Sequence, residues 1–142
     1  MIKGEIWWAN LPDDPYGSEP GKRRPVVIIQ NDAFNKSSIR TTICASITSN
    51  MKLAQFPGNI ELEKAFSGLD KSSVINFSQI ITIDKSRLTE QVSMLPKTTF
   101  QRLTKASDSF LIQNERTLHT QGFDEGISFA EDVLSRKYQY EG

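Results

Sequence analysis

Short apolar runs, broken at close intervals by glycine, proline and paired polar residues, fill the first two thirds of this chain, and a helical period replaces them in the last third. Glu5 to Asn10 reads as a short apolar strand. Leu11 to Arg24 holds Pro12, Pro15, Gly17, Pro20 and Gly21, a density of breakers that predicts a long loop. Val26 to Ile29 is a β-branched run led by Pro25, and proline is tolerated only at the first residue of a buried strand, so a strand is predicted over residues 25–30. Asn31 and Asp32 stop it and are suited to capping a brief helical turn around Ala33 to Lys36. From Arg40 to Thr48 alternation returns, with Thr42, Cys44 and Ser46 facing opposite to Ile43, Ala45 and Ile47. Gly58 to Glu63 is a short alternating strand, and Ser73 to Asp84 is long enough for one bent strand or two. Five strands with short links and no long helices between them favour a bent antiparallel sheet or small barrel over parallel crossover units.

Beyond Leu95 the pattern changes. Thr98 followed three residues later by Gln101 fits a capping box, and Phe100, Leu103, Phe110 and Leu111 share a face, which predicts a helix over residues 98–117. After Gly122, apolar residues at Phe123, Ile127, Ala130, Leu134 and Tyr138 predict a second amphipathic helix, weakened by ~1 kcal/mol at Gly126. The expected organisation is therefore a body over residues 1–120 and an acidic amphipathic extension over residues 121–142. Burying the apolar stripe of that extension against its own body is one use for it; tempering access to a basic groove is the other.

Composition narrows the possible chemistry. A chain of 142 residues with 37% hydrophobic content matches one ordinary domain. Its apolar runs never exceed four residues, against roughly 20 needed to span a membrane. The N-terminal stretch breaks at Glu5 and Pro12 and lacks the pattern of a signal peptide, so a cytoplasmic protein with no membrane partner is expected. A single Cys44 and a single His119 leave no intramolecular disulfide, no thiolate cage and no histidine metal cluster, so neither metal nor cofactor is expected. Phosphate-binding, dinucleotide, zinc-protease and serine-hydrolase motifs are missing. The net charge of zero hides an uneven split: residues 1–111 carry 14 Lys+Arg against 11 Asp+Glu, and residues 112–142 carry 3 against 6. Lys22, Arg23, Arg24, Lys36 and Arg40 make residues 16–40 the densest positive stretch.

Within it, Pro25 drives Arg24 out of the α region and holds it extended at the mouth of a strand. An always-charged, five-donor guanidinium placed there suits a phosphodiester, because it can hold two phosphate oxygens and stabilise the charge that develops during attack. Glu19 can orient it. A simple salt bridge between the two is the structural alternative. Tyr16, an aromatic in a loop beside basic residues, suits stacking on a single-stranded base. Trp7 and Trp8 face opposite sides of their strand, one of them toward the core. Cys44 reads as buried filling, Asp84 and Arg87 as an ion pair within a turn, and His119 as a structural residue at a helix end.

GEIWWANL, then GSEPGKRRPVVIIQND, then the strand ending Ser46-Ile47-Thr48, then SQIITIDKSRL closely resemble the MazF/PemK family of toxin endoribonucleases over residues 2 to about 111. Two elements carry most of the likeness: G-S-E-x-G-x-x-R-P from Gly17 to Pro25, and Q-I-x-T-I-D-K-x-R-L from Gln79 to Leu88. The resemblance implies a mainly β, α+β fold, an SH3-like barrel of the MazF/CcdB type with C-terminal helices. It also implies a homodimer, an acidic MazE-like antitoxin as partner, and metal-independent cutting of single-stranded RNA, an mRNA interferase activity. The family's catalytic arginine and threonine fall on Arg24 and Thr48, with Glu19 as orienting group or base. Tyr16, Ser18, Lys22, Arg23, Ser78 and Gln79 are the expected RNA-contacting residues. Many members have an acid before the glutamine and a base two after it, where this chain has Ser78 and Ile81. Plasmid-type members carry His and Arg where Ser18 and Asn76 stand, so the roles of those groups do not transfer. The competing class keeps the barrel without nuclease activity, as a CcdB-like gyrase poison or an inert RNA-binding relative.

Overall fold

Strands with apolar side chains at alternate positions pair edge to edge through their backbones in a single sheet, which positions the described residues of interest. The structure, a computed structural model, describes residues 1–12 and 23–109. Tyr16, Ser18, Glu19, Lys22, the helix expected beyond residue 109, His119 and the extension over residues 121–142 lie outside the described residues. Strands β1 (Glu5–Asn10), β2 (Arg23–Ile28), β3 (Thr41–Thr48), β4 (Ile60–Leu62), β5 (Ser73–Asp84) and β6 (Leu88–Met94) form an antiparallel sheet in the order β4-β5-β3-β2-β1-β6. The mainly β expectation holds. The sheet curls into a half-barrel: the Ser93 hydroxyl of β6 donates to the Ser67 carbonyl just past β4, bringing the two sheet ends together.

Four local expectations need correction. A sixth strand, β6, runs where no strand was expected. It is an edge strand with no fully buried residue, so its sequence LTEQVSM shows no clear alternation of apolar and polar positions. Second, β2 starts and ends two residues earlier than expected, with Pro25 inside it opposite Trp8. Proline is tolerated there because pairing with β3 begins only at Val26. Third, β4 is shorter than the alternating stretch, spanning Ile60–Leu62. Fourth, the C-terminal helix begins at residue 97, the Phe100 N–H donating to the Pro96 carbonyl at 2.8 Å, so Thr98 lies inside the first turn and is not the cap. The long strand β5 is one bent strand. Its register against β3 jumps from Ile80 opposite Ala45 to Asn76 opposite Ser46, leaving Phe77 to Gln79 bulged.

Residues Met1–Thr104 make one compact unit, and the second begins at Lys105, with helical residues to 109 described. In the first unit β3 is buried on both faces from Cys44 to Ile47. Ala9, Val26, Ile28, Cys44 and Ile83 pack together, with Trp7, Leu11, Ile81 and Leu88 against them. Each such large side chain contributes about 1.5–3 kcal/mol through burial. Burial also pushes the Cys44 thiol up to about 12, so it stays protonated and serves as filling.

Where β2 ends, a short helix α1 (Asp32–Asn35) is capped by Asn31, whose side chain accepts the Ala33 N–H at 2.8 Å. Its buried Asn35 accepts from the Thr42 hydroxyl (3.1 Å) and the Gln30 amide (3.0 Å) and donates to Asp32 Oδ1 (3.1 Å) and to the Gln30 carbonyl (2.9 Å). Lys85 Nζ adds a bond to the Asn35 carbonyl at 2.9 Å. Burial raises the Asp32 carboxyl, but the Lys3 N–H at 2.7 Å, the Asn35 amide and the charges of Lys36 and Lys3 outweigh it and hold the group below its ordinary value. This end of the β2–β3 pair is closed by hydrogen bonds.

Candidate active site at the open end of β2 and β3

The other end of the same pair is open. Pairing between β2 and β3 covers Val26↔Ser46, Val27↔Ala45 and Ile28↔Cys44 and then stops at Pro25, a residue with no N–H to give a ladder. Both strands run on, β2 held only by β1 and β3 only by β5. Continued by two residues, the same register sets Arg24 opposite Thr48, on the face shared by Val26 and Ser46. Because the strands part there, a cavity of about 420 Å³ lies between them, within the range of roughly 300–1,000 Å³ usual for ligand sites. Arg24 and Pro25 line it from β2, Ile47, Thr48 and Ser49 from the end of β3, and Trp8 from β1.

A third wall comes from the segment after α2 (Lys64–Ser67): Leu69, Asp70 and Lys71, with Ser73 at the start of β5. Gly68 makes the turn into it with φ 75, a conformation that L side chains rarely adopt, and an added Cβ would meet Val92 Cγ1 at 3.2 Å. Leu69 is buried, its N–H bonded to the Ser67 hydroxyl at 3.1 Å, and the Ser73 hydroxyl donates to the Lys71 carbonyl at 2.9 Å. The backbone is therefore clamped while Asp70 and Lys71 are exposed.

Thr48 is equally defined. Its hydroxyl oxygen accepts the Asn50 N–H at 3.2 Å, which fixes the rotamer and leaves the O–H proton to donate into the cavity. Together Arg24 and Thr48 offer a charged fork and a neutral donor to one tetrahedral anion. Among the described residues no three His, Cys, Asp or Glu side chains gather as metal ligands.

The other expected residues are distributed differently. Arg23, on the opposite face of β2, bonds Glu90 at 2.8 Å and lies over the Trp8 ring at 4.6 Å from its centroid. Ser78 and Gln79 are exposed on the β5 bulge and do not line the cavity, Ser78 Oγ donating to Asn76 Oδ1 at 2.7 Å. Trp7 is the tryptophan against the core, whereas Trp8 reaches the cavity. The expected Asp84–Arg87 pair makes no direct contact, and Arg87 acts on Asp84 as a nearby charge: Arg87 donates to the Asn10 carbonyl at 3.1 Å, and Asp84 accepts the Ser86 N–H at 2.8 Å. Those Ser86 hydrogen bonds hold the Asp84 carboxyl below its ordinary value.

Sequence reasoning offered Glu19 as the carboxylate beside Arg24; Glu19 lies outside the described residues, and the carboxylate that the structure places on the cavity is Asp70. Asp70, Lys71 and Trp8 were missing from the expected site. The adjacent acid and base just before a β-branched strand were the available signal, but only the fold carries that loop to Arg24.

Residues 2–111 match the family described as PemK-like, MazF-like toxin of type II toxin-antitoxin system. Endoribonuclease MazF2 of Mycobacterium bovis is 45% identical over 96 residues, covering 68% of this chain and 83% of its own length. Endoribonuclease MazF of Staphylococcus saprophyticus is 44% identical over 108 residues, covering 76% and 88%. Among solved structures, an endoribonuclease in complex with its cognate antitoxin from a mycobacterial species superimposes with a TM-score of 0.57 at 19% identity, covering 78% of this chain and 92% of its own. That likeness concerns the fold, and the family match spans the strands that frame the cavity. The chain belongs to the PemK/MazF family of type II toxin–antitoxin toxins.

Proposed function

We infer that this chain is a toxin endoribonuclease that cleaves single-stranded RNA at a short sequence by attack of a ribose 2′-OH on the adjacent phosphorus. The observation that carries this reading is that Arg24 and Thr48, from different strands, line one cavity. The 2′-oxygen–phosphorus bond forms as the phosphorus–5′-oxygen bond breaks, leaving a 2′,3′-cyclic phosphate and a 5′-hydroxyl. No metal is required. Arg24 stabilises the oxygens of the phosphorane, and a guanidinium keeps its charge throughout. Thr48 donates to a phosphate oxygen. Glu19 serves to orient Arg24, and Tyr16, Ser18, Lys22, Arg23, Ser78 and Gln79 are the proposed surface for the flanking nucleotides.

Relatives named endoribonucleases at 44–45% identity support the activity. The relative solved with its cognate antitoxin supports an antitoxin as partner; the proposed one is acidic or partly disordered, occupies the basic groove and excludes RNA. A homodimer accords with the large apolar side chains left open on this chain, Phe66 (61% exposed) and Phe56 (58%). An enzyme acting on mRNA works in the cytoplasm, and among the described residues no helix is long and apolar enough to cross a membrane.

Incubating the purified protein with a long unstructured RNA in EDTA tests the reading. Discrete fragments ending in 2′,3′-cyclic phosphate are expected. Intact RNA, or fragments only when a divalent ion is added, would refute it.

A further inference from the structure

We propose that Asp70 is the group that takes the proton from the attacking 2′-hydroxyl, an inference that rests on the ribonuclease reading above. Attack by a 2′-oxygen needs a proton acceptor. The described polar side chains around the cavity are Trp8, Arg24, Thr48, Ser49, Asp70, Lys71 and Ser73. An indole, a guanidinium and an ammonium offer donors only, and the neutral hydroxyls of Thr48, Ser49 and Ser73 hold a transferred proton far less well than a carboxylate does. The Ser73 hydroxyl is engaged with the Lys71 carbonyl. Asp70 is the carboxylate of this lining, and among the described residues its oxygens make no hydrogen bond and no ion pair.

Two further observations bear on it. The loop is held on both sides, by the left-handed Gly68 and buried Leu69 before Asp70 and by the Ser73–Lys71 bond after it. A side chain shown from a fixed backbone is what proton transfer requires, since reach within hydrogen-bond distance decides whether a base works. Secondly, a negative group beside the place where a polyanion binds weakens ground-state affinity. That cost is offset where the group acts in the transition state, and neighbouring Lys71 offsets part of the repulsion.

In the step, the 2′-O–H proton moves to an Asp70 oxygen as the 2′-oxygen bonds to phosphorus. The 5′-oxygen departs and takes a proton from water, and Asp70 returns its proton to the hydroxide so formed. No oxidant, metal or further reactant is needed.

The test is single-turnover cleavage of one RNA by wild type, Asp70→Asn, Asp70→Glu and Arg24→Ala across a range of pH. Asp70→Asn preserves size at an exposed position, and circular dichroism checks its fold. The expected result is a loss of about 10²-fold or more. The limb of the wild-type profile that rises with pH should disappear, Asp70→Glu should partly restore it, and binding of a non-cleavable 2′-deoxy analogue should be unchanged or tighter. An Asp70→Asn protein that cuts at the wild-type rate while Arg24→Ala is inactive overturns the role of Asp70 and leaves the ribonuclease reading standing. A slower variant that keeps the rising limb also overturns it, because a base is then elsewhere. Failure of wild type to cut any RNA overturns both.

Discussion

At one end of the β2–β3 pair, Gln30, Asp32, Asn35, Thr42 and Lys85 are bound to one another through side-chain hydrogen bonds. At the other end, Arg24, Thr48, Asp70 and Lys71 line a cavity of about 420 Å³. The two ends have similar polar content and opposite organisation. In the closed end each group is satisfied within the protein, so its energy goes into fixing α1 against the sheet. In the open end the Leu69–Ser73 backbone is clamped, and Thr48, Asp70 and Lys71 line the cavity beside Arg24 with polar groups that a ligand can meet. The difference teaches how to separate structural from chemical polar residues: by whether a group is enclosed in a network of protein partners or lines a cavity.

The largest expected effect belongs to the open end. Arg24→Ala should reduce single-turnover RNA cleavage by about 10²–10³-fold, the usual cost of losing one charge-stabilising donor, while the melting temperature changes little. A cleavage rate equal to wild type would break the comparison at its strongest point. Thr48→Ala comes next. Losing a hydrogen bond to a charged group is worth about 1.5–3 kcal/mol, or about 10–100-fold in rate. An unchanged single-turnover rate would take Thr48 out of the site.

The closed end should answer in the opposite currency. Asn35→Ala strips partners from Thr42, Gln30 and Asp32 and should destabilise the fold by about 1–3 kcal/mol in denaturant titration, with specific activity per folded molecule unchanged. A loss of activity without loss of stability would mean the two ends communicate. The smallest effect concerns Asp32. Its carboxyl is held below its ordinary value of 3.8, so the charged form favours the fold above that value and the contribution fades as pH falls through the lower, folded-state value. The stability gap between wild type and Asp32→Asn should therefore be full near neutrality and shrink in acid. A gap that widens in acid would contradict the assignment.

Much of the closed end was legible in the sequence, and the open end only in part. Asn31 as a cap, the strand through Val26 to Ile28 and the bent strand from Ser73 to Asp84 follow from local rules about short polar caps, β-branched runs and alternation. Arg24 was legible because Pro25 restricts it and because the surrounding motif resembles a known family. Strand β6 was not, since an edge strand with partly exposed faces leaves no alternation to read. Asp70 was not, because a loop residue joins a site through the curl of the whole sheet. Trp8 could be placed opposite Trp7, but which of the two faced the core depended on the partner strands.

The measurement that tests the central claim most directly is cleavage by wild-type protein, in EDTA, of two oligonucleotides identical except for a 2′-deoxyribose on the 5′ side of the cut. Cleavage of the all-ribose strand to a 2′,3′-cyclic phosphate, with no cleavage of the deoxy-substituted strand at that position, is the predicted result. Equal cutting of both strands would contradict 2′-hydroxyl attack and point to an activated water at the open end of β2 and β3.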